Sequence, residues 1–120
     1  MEHYPALPHG ELTRLFDDIY VVPGAIKMPM ALPMTFNRTM TVVRNPDSGE
    51  LTIINSMRLS DAGEAKLEEL GKVAHVIRIA GFHGRDDGYY RDRFGAKIWA
   101  IEGQPYKRKL DAKVPPKNYL

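Results

Sequence analysis

Residues 81–90, GFHGRDDGYY, follow the strand-like run His75–Ala80 and gather the side chains best suited to chemistry. His83 offers a neutral imidazole nitrogen and Asp87 a carboxylate oxygen, donors that suit zinc or iron. Arg85 falls between them, and a guanidinium aimed inward would repel a cation. Catalytic zinc takes at least three protein ligands and keeps a further position open, so His83 and Asp87 alone make an incomplete set. The same residues also have structural uses. Asp86 and Asp87 can cap a helix that starts here, favoured by the positive end of its dipole. Arg85 can form surface or cap ion pairs. Tyr89 and Tyr90 can pack with Phe94 and Trp99 as core or rim aromatics, and His75 is placed to serve structure.

Other chemistries find little support. Ser48, Ser56 and Ser60 all sit at turns or caps, so no Ser–His–Asp set is readable. The loop lacks the Lys-Ser/Thr ending and the glycine spacing of nucleotide-binding loops. With no cysteine among 120 residues, disulfides, Cys-ligated zinc and thiol nucleophiles are excluded, which fits a cytoplasmic chain. Seventeen basic and fifteen acidic residues give a net charge of +2, too balanced for a nucleic-acid binder. The one dense basic run is Lys107–Lys109, read as a solvated tail. MEHYPALPHGEL has no basic leader followed by a long apolar core, and no apolar run reaches the ~18–20 residues of a membrane span.

The elements that must position the loop follow from patterning. Asp18–Val22 is a short β-type run ending at Pro23-Gly24, a turn signal. VVPGAIKMPMALPM, broken by prolines and Lys27, reads as an irregular packed loop, with Met28, Met30 and Met34 as gap fillers or part of an apolar partner surface. Phe36–Arg44 is a strand, Asn45–Gly49 a turn and Leu51–Asn55 the returning strand of a hairpin. Ser60 or Asp61 caps a helix of about ten residues with one apolar stripe. Asp61 with Glu64 fits a capping box, and Gly71 ends the helix. Ala74–Ala80 is a strand, Asp87–Phe94 a short helix and Lys97–Ile101 the last strand. This order predicts crossovers between neighbouring parallel strands. His3 and His9 fall in a flexible head. Residues 1–106 form one domain, and 107–120 an extended or disordered basic tail.

Read as H-x-R-x-D-G, the loop resembles the H-x-H-x-D-H signature of the metallo-β-lactamase-like superfamily. His83 falls on the first His, Arg85 on the second, Asp87 on the Asp and Gly88 on the last His. The pieces LTIINSMRLS, DAGEAKLEELG, HVIRIA and YYRDRFGAKIWAIEG follow that fold's order, so the resemblance runs from about Leu15 to Pro105. It is closest to a divergent branch with "N-P/S-x-R-L-S/T" after the hairpin. The resemblance implies an α/β fold, a mixed sheet with helices on one face, corresponding to the N-terminal half of an αββα sandwich. It implies a metal-activated hydroxide attacking an ester or amide, with only His83 and Asp87 carried over as zinc or iron ligands. Arg85 and Gly88 stand where two further ligands would be, and Asn55-Ser56 replaces an acidic strand end.

Two functions follow. One is a metal-dependent hydrolase of unknown small-molecule substrate with a degenerate site. The other is a non-catalytic binding or scaffold module that keeps the fold. The apolar sheet face would pack against a missing C-terminal half, or against a second copy in a homodimer.

Overall fold

The computed structural model describes residues 3–28, 34–80, 84–101 and 118–119. One mixed sheet organises them. Its strands are β1 (Thr13–Phe16), β2 (Ile19–Met28), β3 (Met34–Arg44), β4 (Glu50–Ile54), β5 (Lys72–Ile77), β6 (Lys97–Ala100) and the two-residue β7 (Asn118–Tyr119). Their order in the sheet is their order in the chain. Pairing is antiparallel from β1 to β4 and parallel from β4 to β7. The expected α/β class, mixed sheet and parallel neighbours are all present. Helix α1 (Asp61–Leu70) connects β4 to β5, and α2 (Asp87–Phe94) lies between β5 and β6.

The strand alternation decides which face is core. Val22, Met40, Val42, Leu51, Ile53, Val73, Val76 and Ile98 share a buried cluster with Leu67 of α1 and Tyr90 of α2. Both helices therefore cover the same face, as the period-2 and helical patterns require. The opposite face carries the register row Val21–Thr41–Ile54–Ile77–Trp99, all partly exposed.

The turn expected at Pro23-Gly24 is absent, and β2 runs straight through it to Met28. The apolar run is thus largely strand and not loop, although 29–33, with Met30, Pro29 and Pro33, lie outside the described residues. Register with β1 stops at Val21, so the proline lies where that neighbour has ended. There Pro23 O accepts from Gly10 N at 2.7 Å. Gly24 serves packing: a Cβ there would lie 2.3 Å from Met57 Sδ. β1 itself was not expected, and neither was the turn residue Asp18, which adopts φ 61°.

The described part of the N-terminal head, expected to be flexible, packs against the rest of the domain. His9 Nδ1 donates to Gly10 O at 2.6 Å, while its Nε2 accepts from Ser60 N at 2.8 Å. His3 Nε2 meets Asp92 Oδ2 at 3.0 Å. Ser60 caps α1 by accepting from Gly63 N at 3.2 Å. Glu64 does not close the expected capping box. It accepts from Tyr89 Oη and pairs with Arg93. At the helix end, Gly71 allows close approach to the β3–β4 turn, since a Cβ there would meet Gly49 O at 2.0 Å. Residues 102–117, which include most of the 107–120 tail and Lys107–Lys109, lie outside the described residues, and Asn118–Tyr119 pairs with Trp99–Ala100.

Candidate functional site at the strand ends

The parallel strands β4 and β5 end side by side, and the chain leaving each one builds the candidate site. Asn55 takes φ 60° immediately after β4, a conformation that asparagine tolerates better than most residues. Its amide donates to Ile77 O at 3.3 Å and its side chain to Thr39 O at 2.9 Å. The turn delivers Ser56 and Arg58 beneath the start of α2. Arg78 follows β5, its amide held by Trp99 O at 2.8 Å.

Asp87, the first residue of α2, has no exposed side-chain surface. Ser56 Oγ donates to its Oδ1 at 2.7 Å, and Arg78 Nε donates to its Oδ2 at 2.9 Å. Burial pushes its carboxyl above the ordinary carboxylate value, against the opposing pull of the Ser56 hydrogen bond and the Arg78 charge. Asp86, 1% exposed, faces a different set of donors. Arg58 N reaches Oδ2 at 2.9 Å, Arg85 Nη1 reaches Oδ1 at 2.8 Å, and Arg38 Nη1 lies 3.5 Å from Oδ2. Asp86 occupies the N-cap position of α2 without making the cap hydrogen bond expected of it. Its carboxylate is committed to the Arg58 amide and the guanidinium groups.

A layer of aromatics lies above these pairs. Tyr90 donates to Met57 O at 2.7 Å and stacks on Phe94 with ring centres 5.6 Å apart. Burial raises its phenol well above the usual value near 10. Trp99 takes no part in this layer. It lies on the opposite sheet face, where its indole donates to His75 Nδ1 at 3.1 Å. Tyr89 lies under the Arg58 guanidinium, 4.2 Å from ring centre to Cζ. Burial is the main cause of its raised phenol value, and Glu64 adds to it by hydrogen bond and charge. Arg85 packs over Tyr4 at 4.6 Å.

His83, with Gly81 and Phe82, lies outside the described residues. Asp87 is placed at the strand ends, where the loop spacing put it. Sequence reasoning missed Ser56 and Arg78 as its company, and Arg38 as a partner of Asp86. Asn55-Ser56 at a strand end was a usable signal, as was an arginine within the apolar run HVIRIA. Arg38 came into range only through the antiparallel register of β2, β3 and β4.

A metal centre needs convergent donors with free lone pairs. Among the described residues no group of three or more His, Asp or Glu side chains could hold a metal ion. Asp87 spends both oxygens on Ser56 and Arg78, and Arg85 turns to Asp86. The described residues therefore do not fit a zinc or iron centre.

No protein family and no curated protein matches the sequence. Solved structures do. A metallo-β-lactamase from Hirschia baltica aligns over 94% of this chain and 52% of its own, at 16% identity and a TM-score of 0.59. The FIM-1 metallo-β-lactamase from Pseudomonas aeruginosa in its mono-zinc form aligns over 96% and 51%, at 10% identity and a TM-score of 0.64. The DIM-1 metallo-β-lactamase exposed to ceftazidime gives 97% and 53%, at 16% identity and 0.63. The fold is thus metallo-β-lactamase-like and corresponds to the N-terminal half of that architecture. The chain spans about half the length of each of these solved chains.

Proposed function

We propose that this chain is a non-catalytic binding module that keeps a metallo-β-lactamase-like fold around a degenerate metal site and acts by pairing its helix-free sheet face with a second copy of itself. One observation carries the first part. The carboxylate best placed to be a ligand, Asp87, is fully buried with Ser56 on one oxygen and Arg78 on the other. A ligand carboxylate must offer lone pairs toward an open position, whereas this one faces a fixed cation 2.9 Å away. The pairing surface is supported by Val21, Ile54, Ile77 and Trp99, which share a register row with Thr41 on the face that neither α1 nor α2 covers. Apolar side chains gathered on an uncovered sheet face mark interaction sites.

The fold match supports a second reading, a metal-dependent hydrolase with zinc or iron on His83 and Asp87 and further ligands from elsewhere. Elemental mass spectrometry on untagged protein, dialysed without chelator, separates the two. The binding-module reading expects less than stoichiometric metal, no turnover of ester, amide or β-lactam substrates, and a dimer in sedimentation equilibrium. One metal per chain that disappears in His83→Ala, together with turnover, would replace it with the hydrolase.

A further inference from the structure

Arg78 is the first residue beyond β5, at the strand end that feeds the loop, and its side chain has no exposed surface. Arginine is almost never buried to this degree without compensation, because a desolvated charge is costly. Asp87 compensates it with an oxygen 2.9 Å from Nε, its other oxygen being occupied by Ser56. The flat face of the guanidinium lies against the backbone at Gly84. A Cβ built there would stand 2.2 Å from Nη2, 2.3 Å from Cζ and 2.5 Å from Nε. These atoms end a long side chain that could normally swing aside, but Asp87 holds them. Gly84 is also not among the glycines with positive φ, so the backbone conformation does not demand glycine here. The space taken by Arg78 does.

We propose that the Arg78 guanidinium is the resident cation of this centre. It supplies beside Asp87 the fixed positive charge that a bound metal ion would supply, and Gly84 is the gap in the loop that admits it. A guanidinium is always charged, donates along the carboxylate plane and cannot be removed by a chelator. The first turn of α2 is thereby tied to the ends of both β4, through Ser56, and β5, through Arg78, with no ion to load. The inference deepens the reading of a degenerate site and rests on it only in that Asp87 is not a metal ligand.

The test is a double-mutant cycle on the full chain, read by thermal unfolding, with a metal arm on the wild type. Gly84→Ala is expected to lower the Tm by about 5–10 °C in the wild-type background, because the added methyl must displace the guanidinium from Asp87. In an Arg78→Met background, which keeps the aliphatic stem, the same change is expected to cost little. Wild-type Tm is expected to be unchanged by EDTA or by excess zinc chloride. An equal cost of Gly84→Ala in both backgrounds would overturn the proposal. So would a zinc-induced rise in wild-type Tm that Asp87→Asn abolishes, and that arm decides the matter even if Arg78→Met does not fold. Failure of the dimer prediction would show in sedimentation and leave this cycle untouched.

Discussion

Asp86 and Asp87 are adjacent in the chain, yet they serve separate ion-pair systems. Asp87 looks down toward the strand ends, and Asp86 looks across to the loop after β4 and to Arg38 and Arg85. Removing one member of a buried pair costs more than the pair is worth, because the other charge stays behind. Asp87→Ala is therefore expected to lower stability by about 3–5 kcal/mol in urea titrations at neutral pH. Tyr90 makes a second prediction, this one in pH. Its folded-state value lies well above 10, so its contribution to stability is complete below the unfolded value and is lost as pH rises toward the folded one. Stability should fall steeply above about pH 10, and less steeply in Tyr90→Phe, which at neutral pH loses only about 1 kcal/mol with the hydrogen bond to Met57 O. Tyr89 shifts in the same direction and leaves some slope behind. Spacing drew attention to Asp87 as a metal ligand beside His83. Its partners were hidden because Ser56, Arg78 and Asp87 converge through three different elements, and a linear reading does not bring them together.

At the scale of elements, the patterns that proved readable were those with a local cause. Asn45–Gly49 turns because its residues favour turning, and α1 starts where a serine can take an orphan amide. Ser60→Ala is expected to cost about 1 kcal/mol, measured by chemical denaturation, through loss of the cap bond from Gly63 N, and to leave the head in place, since the Ser60 backbone amide that holds His9 is retained by alanine. Where tertiary context ruled, local signals misled. Pro23-Gly24 looks like a turn, but the glycine is there for Met57 and the proline sits past the end of β1. Glu64 looks like a capping residue, but α2 offers it Tyr89 and Arg93. β1 was missed because Thr13–Phe16 is exposed throughout, so no buried alternation marks it.

For the whole molecule, the sheet has, among the described residues, one face covered by both helices and one face that neither covers. The alternation of buried Leu51 and Ile53 with partly exposed Thr52 and Ile54 made the core face legible and left Ile54 on the other. Which body covers that other face is not written in the alternation. If a second copy does, a charge in the centre of the row should separate the protomers without disturbing the core. Ile54→Lys with Ile77→Lys is expected to give a monomer in sedimentation equilibrium with an unchanged far-UV circular dichroism spectrum. A wild-type chain that already sediments as a monomer would remove the dimer.

Strand order that matches chain order bears on how the protein is made. Each strand pairs with the one synthesised just before it, so contacts close over short sequence separations and little loop entropy has to be spent in advance. A nascent chain that has emerged as far as Ile54 already holds the whole antiparallel half of the sheet. β5 and β6 can then dock in turn on a completed edge, each carrying its preceding helix onto the same face. Assembly can thus proceed in step with translation from the N-terminus, and the Asp87–Arg78 ion pair and the hydrogen bond from Ser56 close only when α2 arrives.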